Sequence, residues 1–472
     1  MKALTQWRFD RTLLPMAAVG AALVGGPWLA WLISQESWRD LALLCIVGVL
    51  PLALRWPVTL VFGAYVFFLP FSHVAVVADS GGVSATKLIG IVAVGTFVAV
   101  GLVEKRLVKP PASALWFIAL VLWAITTLAW SVSPEESSAR LPTIFSILAL
   151  YLAAVCFRVS EQELRIVCLL AMIGGALAAT AGVITGFEAD AARVERATLH
   201  VAGLNSAANP NGVGQSLLLP VGMAMGLLLS SRNVLGRAVA LGVIGAISAA
   251  IFLTMSRGNL LAMTIMLCVL LLRSRVSWQA VVVVGVLAAL LTFMPDLFFE
   301  RINVVITGEE PTGAGRTEIW KVGLALLSRF GWAGSGLDTF ATAYATYGVP
   351  GGAGRGSHNT YLGIWVELGV VGLALVAMLL FSHLRIARYT RNSISKIGFP
   401  VAIEAVCYAI LVASCFGDDL WTKTFWAPWI LAVWASRSAH QAKAKSRSSV
   451  AEFTDASFDN VDASVGHVTT RR

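Results

Sequence analysis

Charged residues are scarce in this chain. Of 472 residues only 13% are Asp, Glu, Lys or Arg, whereas 57% are hydrophobic, and soluble domains average about 25% charged residues. The mean hydropathy is +0.78. This composition excludes an ordinary soluble domain and is typical of a membrane protein with many helices.

Long polar stretches are also rare, because apolar runs able to cross about 30 Å of hydrocarbon follow one another along the chain. Lipid cannot satisfy free backbone groups, so these runs must be helices. We predict an all-α polytopic membrane protein with about 12 to 14 transmembrane helices and one long helical periplasmic loop. We count about 14 runs, at roughly residues 12–34, 40–54, 57–77, 88–103, 113–130, 141–157, 166–186, 210–229, 238–254, 259–272, 278–294, 360–381, 399–416 and 424–436.

Basic residues concentrate in alternate connections, as in the turn at 105–109 and the segment 385–396. The positive-inside rule makes that side cytoplasmic and puts both termini there. It also accounts for the net charge of +9, which therefore gives no support to nucleic-acid binding. The predicted organisation is transmembrane helices 1 to about 11 in 1–294, a periplasmic loop in 295–357, further transmembrane helices in 358–436 and a disordered cytoplasmic tail in 437–472.

Cysteine and histidine number only six each. The cysteines show neither metal-ligand spacing nor a disulfide framework, and no glycine-rich nucleotide loop is present. We therefore expect no metal and no cofactor. The adjacent acidic pairs Glu309–Glu310 and Asp418–Asp419 are explained most simply as solvated loop residues.

Cations on the predicted outer side are few and need an explanation. Lys87, Arg140 and Arg196 are candidates to bind a lipid-linked phosphate near the membrane surface. The alternative is that they are ordinary snorkelling residues that contact lipid headgroups.

Arg257 lies in Ser256–Gly258, which interrupts apolar sequence between two predicted spans. Ser256 can cap the next helix, whose N-terminus favours an anion, and a guanidinium binds phosphate oxygens in a bidentate manner. A simple helical hairpin with an exposed arginine is the alternative.

The long polar loop should contain helices of its own, since structureless loops of that length are uncommon. After Arg316, helical spacing of Trp320, Leu324, Leu327 and Phe330 predicts one amphipathic helix. A second helix, capped by Asp338, would place Phe340, Tyr344 and Tyr347 on one face. These helices could form a lid at the membrane interface or a small packed cap without a ligand.

His358 ends this loop within the predicted first turn of the next span. The positive end of a helix dipole disfavours an imidazolium, so the ring there can accept a proton as a general base. A structural histidine at a helix end is the alternative.

The order of several short motifs resembles the O-antigen ligase and polysaccharide polymerase superfamily. These motifs are Asn209–Gly212, Thr254–Asn259, Gly315–Trp320, Gly331–Phe340, Ser357–Leu362 and Glu367–Gly369. The resemblance covers roughly residues 195 to 380 and implies a metal-independent, inverting glycosyltransferase of the bacterial inner membrane, with its active site facing the periplasm.

By this resemblance the donor is a glycan on undecaprenyl pyrophosphate, and the acceptor is lipid A-core in a ligase or a second lipid-linked glycan in a polymerase. Arg257 and Arg316 would stabilise the pyrophosphate leaving group, and His358 would activate or orient the acceptor hydroxyl. We favour the ligase. A polysaccharide or lipid transporter and a non-enzymatic assembly scaffold remain as alternatives from other classes.

Overall fold

The computed structural model describes residues 56–72, 85–185, 210–254, 256–274, 316–393 and 398–440. The chain divides into two compact units, residues 1–60 and 61–472. The packing and the site reported below lie in the second unit. The predictions for Arg196, for the first spans and for 295–315 fall outside the described residues.

The described residues are almost entirely helical, with one isolated antiparallel bridge between Leu107 and Phe157. The helices, numbered in chain order, are α1 (Pro57–Phe68), α2 (Ala85–Val103), α3 (Ala112–Thr126), α4 (Pro134–Val155), α5 (Glu161–Thr185), α6 (Pro210–Ser216), α7 (Leu218–Ser230), α8 (Val234–Leu253), α9 (Arg257–Ser274), α10 (Arg316–Phe330), α11 (Phe340–Ala343), α12 (Thr360–Ser393), α13 (Phe399–Ala413) and α14 (423–440).

Within the described ranges, seven helical stretches are long and apolar enough to cross a membrane, and α1 and α13 belong to shorter apolar stretches. The prediction of a helical fold with several membrane-spanning segments is thus confirmed. The predicted total of 12 to 14 stays a prediction, because it includes runs outside the described residues.

Helix α7 occupies the interior of the bundle. Every residue from Leu218 to Leu228 is buried, and α7 packs against α5, α8 and α13. A helix that is apolar on all sides is buried either in protein or in lipid, and here neighbouring helices surround α7. Helix α7 therefore forms part of the packed interior beside α13, the helix that precedes Asp418.

The predicted cytoplasmic turns meet at one end of the bundle. Val108 N–H donates to Cys156 O at 2.8 Å, and the Arg437 guanidinium donates to Lys109 O at 2.8 Å. At the opposite end, Val132 N–H donates to Ser335 O at 2.8 Å. The basic turns and the long loop thus lie at opposite ends of α3 and α4.

The described part of the loop packs on the start of α12. Ile319, Leu326 and Phe330 of α10 join Phe340 of α11 and Val366 of α12 in one buried cluster. Helix α10 was predicted, but its predicted apolar face is only partly correct. Leu324 is 59% exposed, because the stripe that meets α12 runs through Ile319 and Leu326.

Two glycines allow the loop backbone to touch α12. Gly369 has φ +67° and interrupts α12 with a kink, and a Cβ on it would lie 2.2 Å from Trp332 O. Gly334, with φ +84°, would place a Cβ 2.1 Å from Glu367 O. Only glycine tolerates both the positive φ and this approach.

The loop differs from prediction after residue 337. Asp338 has φ +58°, and the residue before α11 is Thr339, which makes no side-chain cap hydrogen bond. Helix α11 covers four residues and continues as a single π-helical turn, Tyr344–Gly348. Asp338 is therefore not a helix cap, and Tyr347 lies 40% exposed. At the other end of the domain, α14 continues to residue 440, beyond the predicted start of the tail at 437.

Candidate active site

A carboxylate that follows α13 holds the end of the long loop. Ser357 Oγ–H donates to Asp418 Oδ1, and His358 N–H donates to Asp418 Oδ2 at 3.0 Å. Two donors on adjacent residues thus share the two oxygens of one carboxylate. The position of His358 is set by this contact as well as by α12.

His358 itself lies outside the helix. Its φ is +47°, and Asn359 caps α12, since Asn359 Oδ1 accepts from Tyr361 N–H at 3.0 Å and Leu362 N–H at 3.1 Å. The prediction that His358 sits within the first helical turn is wrong. The asparagine side chain satisfies the helix N-terminus instead, and His358 lies partly exposed just before it.

Arg316, the first residue of α10, lies within electrostatic reach of this carboxylate. Burial lowers the pKa of Arg316, Asp418 raises it, and the neighbouring cation of Arg257 lowers it. Arg316 is therefore close to both Arg257 and Asp418. The structure brings together the two predicted arginines and the backbone of the predicted histidine.

Arg257 reaches this cluster because its turn packs tightly on the segment before Asp418. A Cβ on Gly258 would lie 2.7 Å from Phe416 Cβ, so the close approach requires glycine. The Ser256 hydroxyl does not act as a backbone cap in the contacts seen: Ser256 Oγ accepts from the Asn259 amide at 3.1 Å. Arg257 is exposed at the start of α9.

Asn259 connects two of the sequence motifs. Asn259 is buried, and its amide donates to Asn211 O at 2.8 Å. On the other side of the site, Trp320 Nε1–H of α10 donates to Ser357 O at 3.1 Å. Residues that are distant in sequence are thus held around one site by buried polar contacts.

Arg140 and Asp338 form an ion pair beside this cluster, with Arg140 Nε 3.6 Å from Asp338 Oδ2. Burial raises the pKa of Asp338, and the Arg140 cation opposes that effect. Both residues line a cavity of about 470 Å³ that also includes Ser357 and Asp418. The structure gives Arg140 a carboxylate partner, while its predicted contact with pyrophosphate remains a prediction.

Lys87 lies beside Lys423, whose ammonium donates to Thr86 Oγ1 at 2.6 Å. The proposed role of Lys87 in binding pyrophosphate is not tested by this contact, and Arg196 is outside the described residues.

Sequence reasoning missed Asp418 and Asp419, which it treated as solvated loop residues. Asp418 is exposed but accepts the two hydrogen bonds of the 357–358 segment, and Asp419 is only 7% exposed. Burial raises the pKa of Asp419 to about 7, although the nearby Gln215 and Ser414 side chains lower it in part. A pair of acidic residues directly between two apolar runs was the signal that could have identified them.

Comparison with known proteins bears on this site. Residues 240–377 match a family model described as O-antigen ligase. This match supports a relation of the chain to the O-antigen ligase-related superfamily. The matched region contains Arg257, Arg316 and His358, whereas Arg140 and Asp418 lie outside it. Together with the apolar helices, this match supports a multi-pass membrane protein.

No curated protein sequence matches the chain. Among solved structures, one chain from a peptidoglycan synthase complex that coordinates polymerization and crosslinking is 14% identical to this chain. The match covers 70% of this chain and 98% of that chain, with a TM-score of 0.43. At that TM-score the similarity carries no argument.

Proposed function

We propose that this protein is an O-antigen ligase. It would move a glycan from undecaprenyl pyrophosphate to a sugar hydroxyl of lipid A-core, at the periplasmic face of the bacterial inner membrane. The observation that carries the proposal is the cluster formed by Arg257, Arg316 and Asp418, with His358 hydrogen-bonded to it through the backbone.

The arginine end of the cluster suits the donor. Burial and the neighbouring Arg257 cation lower the pKa of Arg316, and Asp418 raises it. Two neighbouring guanidinium groups are stabilised by an anion between or beside them, and Asp418 supplies one such charge. A pyrophosphate would pair with both groups through bidentate hydrogen bonds, and the same contacts would stabilise the charge that develops as it leaves.

The histidine end suits the acceptor. The contact of Asp418 with the main-chain N–H of His358 fixes the backbone, and it leaves both ring nitrogens available. One ring nitrogen would take the proton from the acceptor hydroxyl. A backbone contact that holds the base in one position favours general-base catalysis.

The proposed reaction is a direct displacement. The acceptor oxygen forms a bond to the anomeric carbon of the donor sugar while its proton passes to His358. The bond from that carbon to the pyrophosphate oxygen breaks, and undecaprenyl pyrophosphate leaves with the bonding electron pair. Attack opposite the leaving group inverts the anomeric centre, and the proposed step uses no metal ion.

The decisive experiment is transfer by the purified protein, with undecaprenyl pyrophosphate-linked glycan as donor and either lipid A-core or a second lipid-linked glycan as acceptor. A ligase forms product on lipid A-core. Product only on the lipid-linked glycan would replace ligase by polymerase. Loss of product in His358→Ala, with normal insertion in the membrane, is expected in either case.

Absence of product on both acceptors would contradict a transferase altogether, and product that persists in His358→Ala would remove His358 from the reaction. The matched control is His440→Ala. His440 lies in α14, at the end that carries the basic turns, and its Nδ1 contacts Ser436 O within the same helix at 2.7 Å. This variant should retain transfer activity.

A further inference from the structure

A cavity of about 470 Å³ adjoins the Ser357–Asp418 contact. Helix α4, the loop before α11, the start of α12 and the segment 418–421 form its walls. The volume lies within the range of small-molecule pockets, about 300–1,000 Å³. None of the predicted catalytic residues lines it, so the cavity extends the site beyond the arginine and histidine cluster.

The walls of this cavity carry more acidic than basic side chains. One cation, Arg140, faces a set of carboxylates that share the cavity wall: Glu136, Asp338, Glu367, Asp418 and Asp419. Arg140 is already paired with Asp338. An anionic group in the cavity would meet more acidic than basic side chains, which is the opposite of the environment at Arg257 and Arg316.

Most of these carboxylates have a protein partner, and one buried oxygen does not. Glu136 Oε2 accepts from Thr342 Oγ1–H at 2.6 Å, and Glu367 Oε1 accepts from Phe340 N–H at 3.1 Å. Asp419 is only 7% exposed, and although the Gln215 and Ser414 side chains lie close to its carboxyl group, Oδ2 has no hydrogen bond of good geometry. A buried acceptor of this kind calls for a donor from a ligand.

The carboxylates are spread around the wall rather than gathered at one point. Among the described residues, no group of three His, Cys, Asp or Glu side chains could hold a metal ion. A ligand with several separated donors fits the arrangement better, and a sugar ring carries such donors as hydroxyl or amino groups. Phe340 and Trp421 add apolar surface for the faces of the ring.

We propose that this cavity binds the acceptor sugar as an uncharged or amine-bearing ring and excludes phosphorylated and uronic acid residues. The inference rests on the proposed transferase function, which requires an acceptor next to His358. It adds the chemical class of the acceptor and assigns its binding to Glu136, Asp338 and Asp419. The phosphate of the donor is recognised elsewhere, at the arginines.

The test is equilibrium binding to the full-length protein in detergent micelles, measured by calorimetry without any donor present. Three trisaccharides of equal length serve as probes: maltotriose, a trimer of glucosamine and a trimer of galacturonic acid. The glucosamine trimer should bind most tightly, maltotriose should bind more weakly, and the galacturonic acid trimer should bind about ten-fold more weakly than maltotriose.

Two variants assign the effect to the cavity. Glu136→Gln should reduce the preference for glucosamine over galacturonic acid about ten-fold, and Asp419→Asn should weaken maltotriose binding by a similar factor. The matched control is Glu135→Gln, since Glu135 is the exposed neighbour of Glu136 in the first turn of α4 and does not line the cavity. Glu135→Gln should bind all three sugars as the unchanged protein does.

The proposal is overturned if galacturonic acid binds the unchanged protein as well as maltotriose does, if both cavity variants bind like Glu135→Gln, or if no sugar shows saturable binding. Inorganic pyrophosphate provides a separate measurement, because its binding should be lost in Arg316→Ala and retained in Glu136→Gln. Failure of pyrophosphate to bind would count against the proposed donor site while leaving the sugar result to stand by itself.

Discussion

At the scale of single residues, Asp418 is the side chain that connects the site. It accepts from Ser357 Oγ–H and from His358 N–H, and it acts electrostatically on Arg316. A charged acceptor that receives two donors makes stronger hydrogen bonds than a neutral one. Asp418 is therefore a positioning residue for the histidine, in addition to being a counter-charge for the arginine.

Asp418→Asn tests that role because it keeps the shape and removes the charge. One carboxylate oxygen becomes an NH₂ group, which cannot accept from Ser357 or His358. We expect the transfer rate to fall about 10²-fold, with the larger change in kcat, while membrane insertion is unchanged. Steady-state kinetics beside Glu135→Gln measure the effect, and a normal kcat in Asp418→Asn would remove Asp418 from the positioning of His358.

The two site arginines should not tolerate lysine. Arg257→Lys and Arg316→Lys keep the charge but lose the planar fork that binds pyrophosphate at two points. We expect transfer to fall at least ten-fold in each, about 1.4 kcal/mol of transition-state stabilisation. Arg329→Lys is the control on α10, where Arg329 is exposed and lies over the ring of Tyr347 at 4.2 Å. Full activity in the site variants would indicate that any nearby positive charge suffices.

Asp419 should make stability depend on pH. Burial raises its pKa to about 7 in the folded protein from 3.8, so between those values the folded state binds more protons than the unfolded state. The contribution of Asp419 to the free energy of unfolding is therefore fully present below about pH 4, and it is lost as pH rises toward 7. The loss of Tm between pH 5 and pH 7.5 should be smaller in Asp419→Asn than in the unchanged protein, measured by thermal unfolding in detergent. Equal losses in the two proteins would show that Asp419 is ionised throughout this range.

Some of the site residues could be predicted from the sequence, namely those that belong to motifs. Arg257, Arg316 and His358 stand in recognisable motifs, and the structure places them around one carboxylate. The pairing of Arg140 with Asp338 and the hydrogen bonds of Asp418 could not be predicted. Each of these contacts depends on which turns pack together across the bundle, and no local sequence pattern determines that packing.

At the scale of elements, the contact between the loop and α12 depends on two glycines that face each other's backbones. Gly369 creates the kink in α12 and Gly334 brings the loop against the residues before it. Since α10 and α12 share one buried cluster, this contact determines where Arg316 lies relative to His358.

Gly369→Ala should therefore disturb the site as well as the local fold. The new Cβ would lie 2.2 Å from Trp332 O, so the loop has to move in addition to the cost of a positive φ, which is about 1 kcal/mol. Gly351→Ala is the matched control, because Gly351 also has positive φ, at +78°, but a Cβ added there would have no atom within 4 Å. We expect lower Tm and at least ten-fold less transfer in Gly369→Ala, and nearly normal activity in Gly351→Ala. Equal effects of the two changes would mean that the loss comes from the strain of alanine at positive φ and not from the contact between the loop and α12.

The extent of α10 could be predicted from periodicity, but its buried face could not. Trp320 and Leu327 lie at the border of the packed stripe, and Trp320 uses its indole N–H on Ser357 O rather than simply filling a core. Helical spacing identifies which residues share a side. It does not identify which side meets a partner that is decided by tertiary packing.

At the scale of the whole molecule, composition was sufficient for the class of fold, because apolar runs in lipid have to be helices. It was not sufficient for the arrangement. Helix α7 is enclosed by α5, α8 and α13, although in sequence it looks like the other apolar runs. Burial in a bundle depends on neighbours, and an apolar helix can face either protein or lipid.

We predict the orientation of the molecule from the charges at its two ends. The basic turn 104–109 lies at one end of α3 and α4, and the loop with His358 contacts the other end through residues 131–135. The positive-inside rule assigns the first end to the cytoplasm. A donor that is already lipid-linked would then meet His358 on the periplasmic side.

Cysteine labelling checks this orientation. Ala353→Cys places a thiol in the exposed segment before His358, and Glu104→Cys places one at the exposed end of α2. In spheroplasts a membrane-impermeant maleimide should label Ala353→Cys above the level of the parent protein, and it should label Glu104→Cys only after permeabilisation. The opposite result would put His358 on the cytoplasmic side, where soluble nucleotide sugars are present, and a lipid-linked donor would no longer be required by the position of the site.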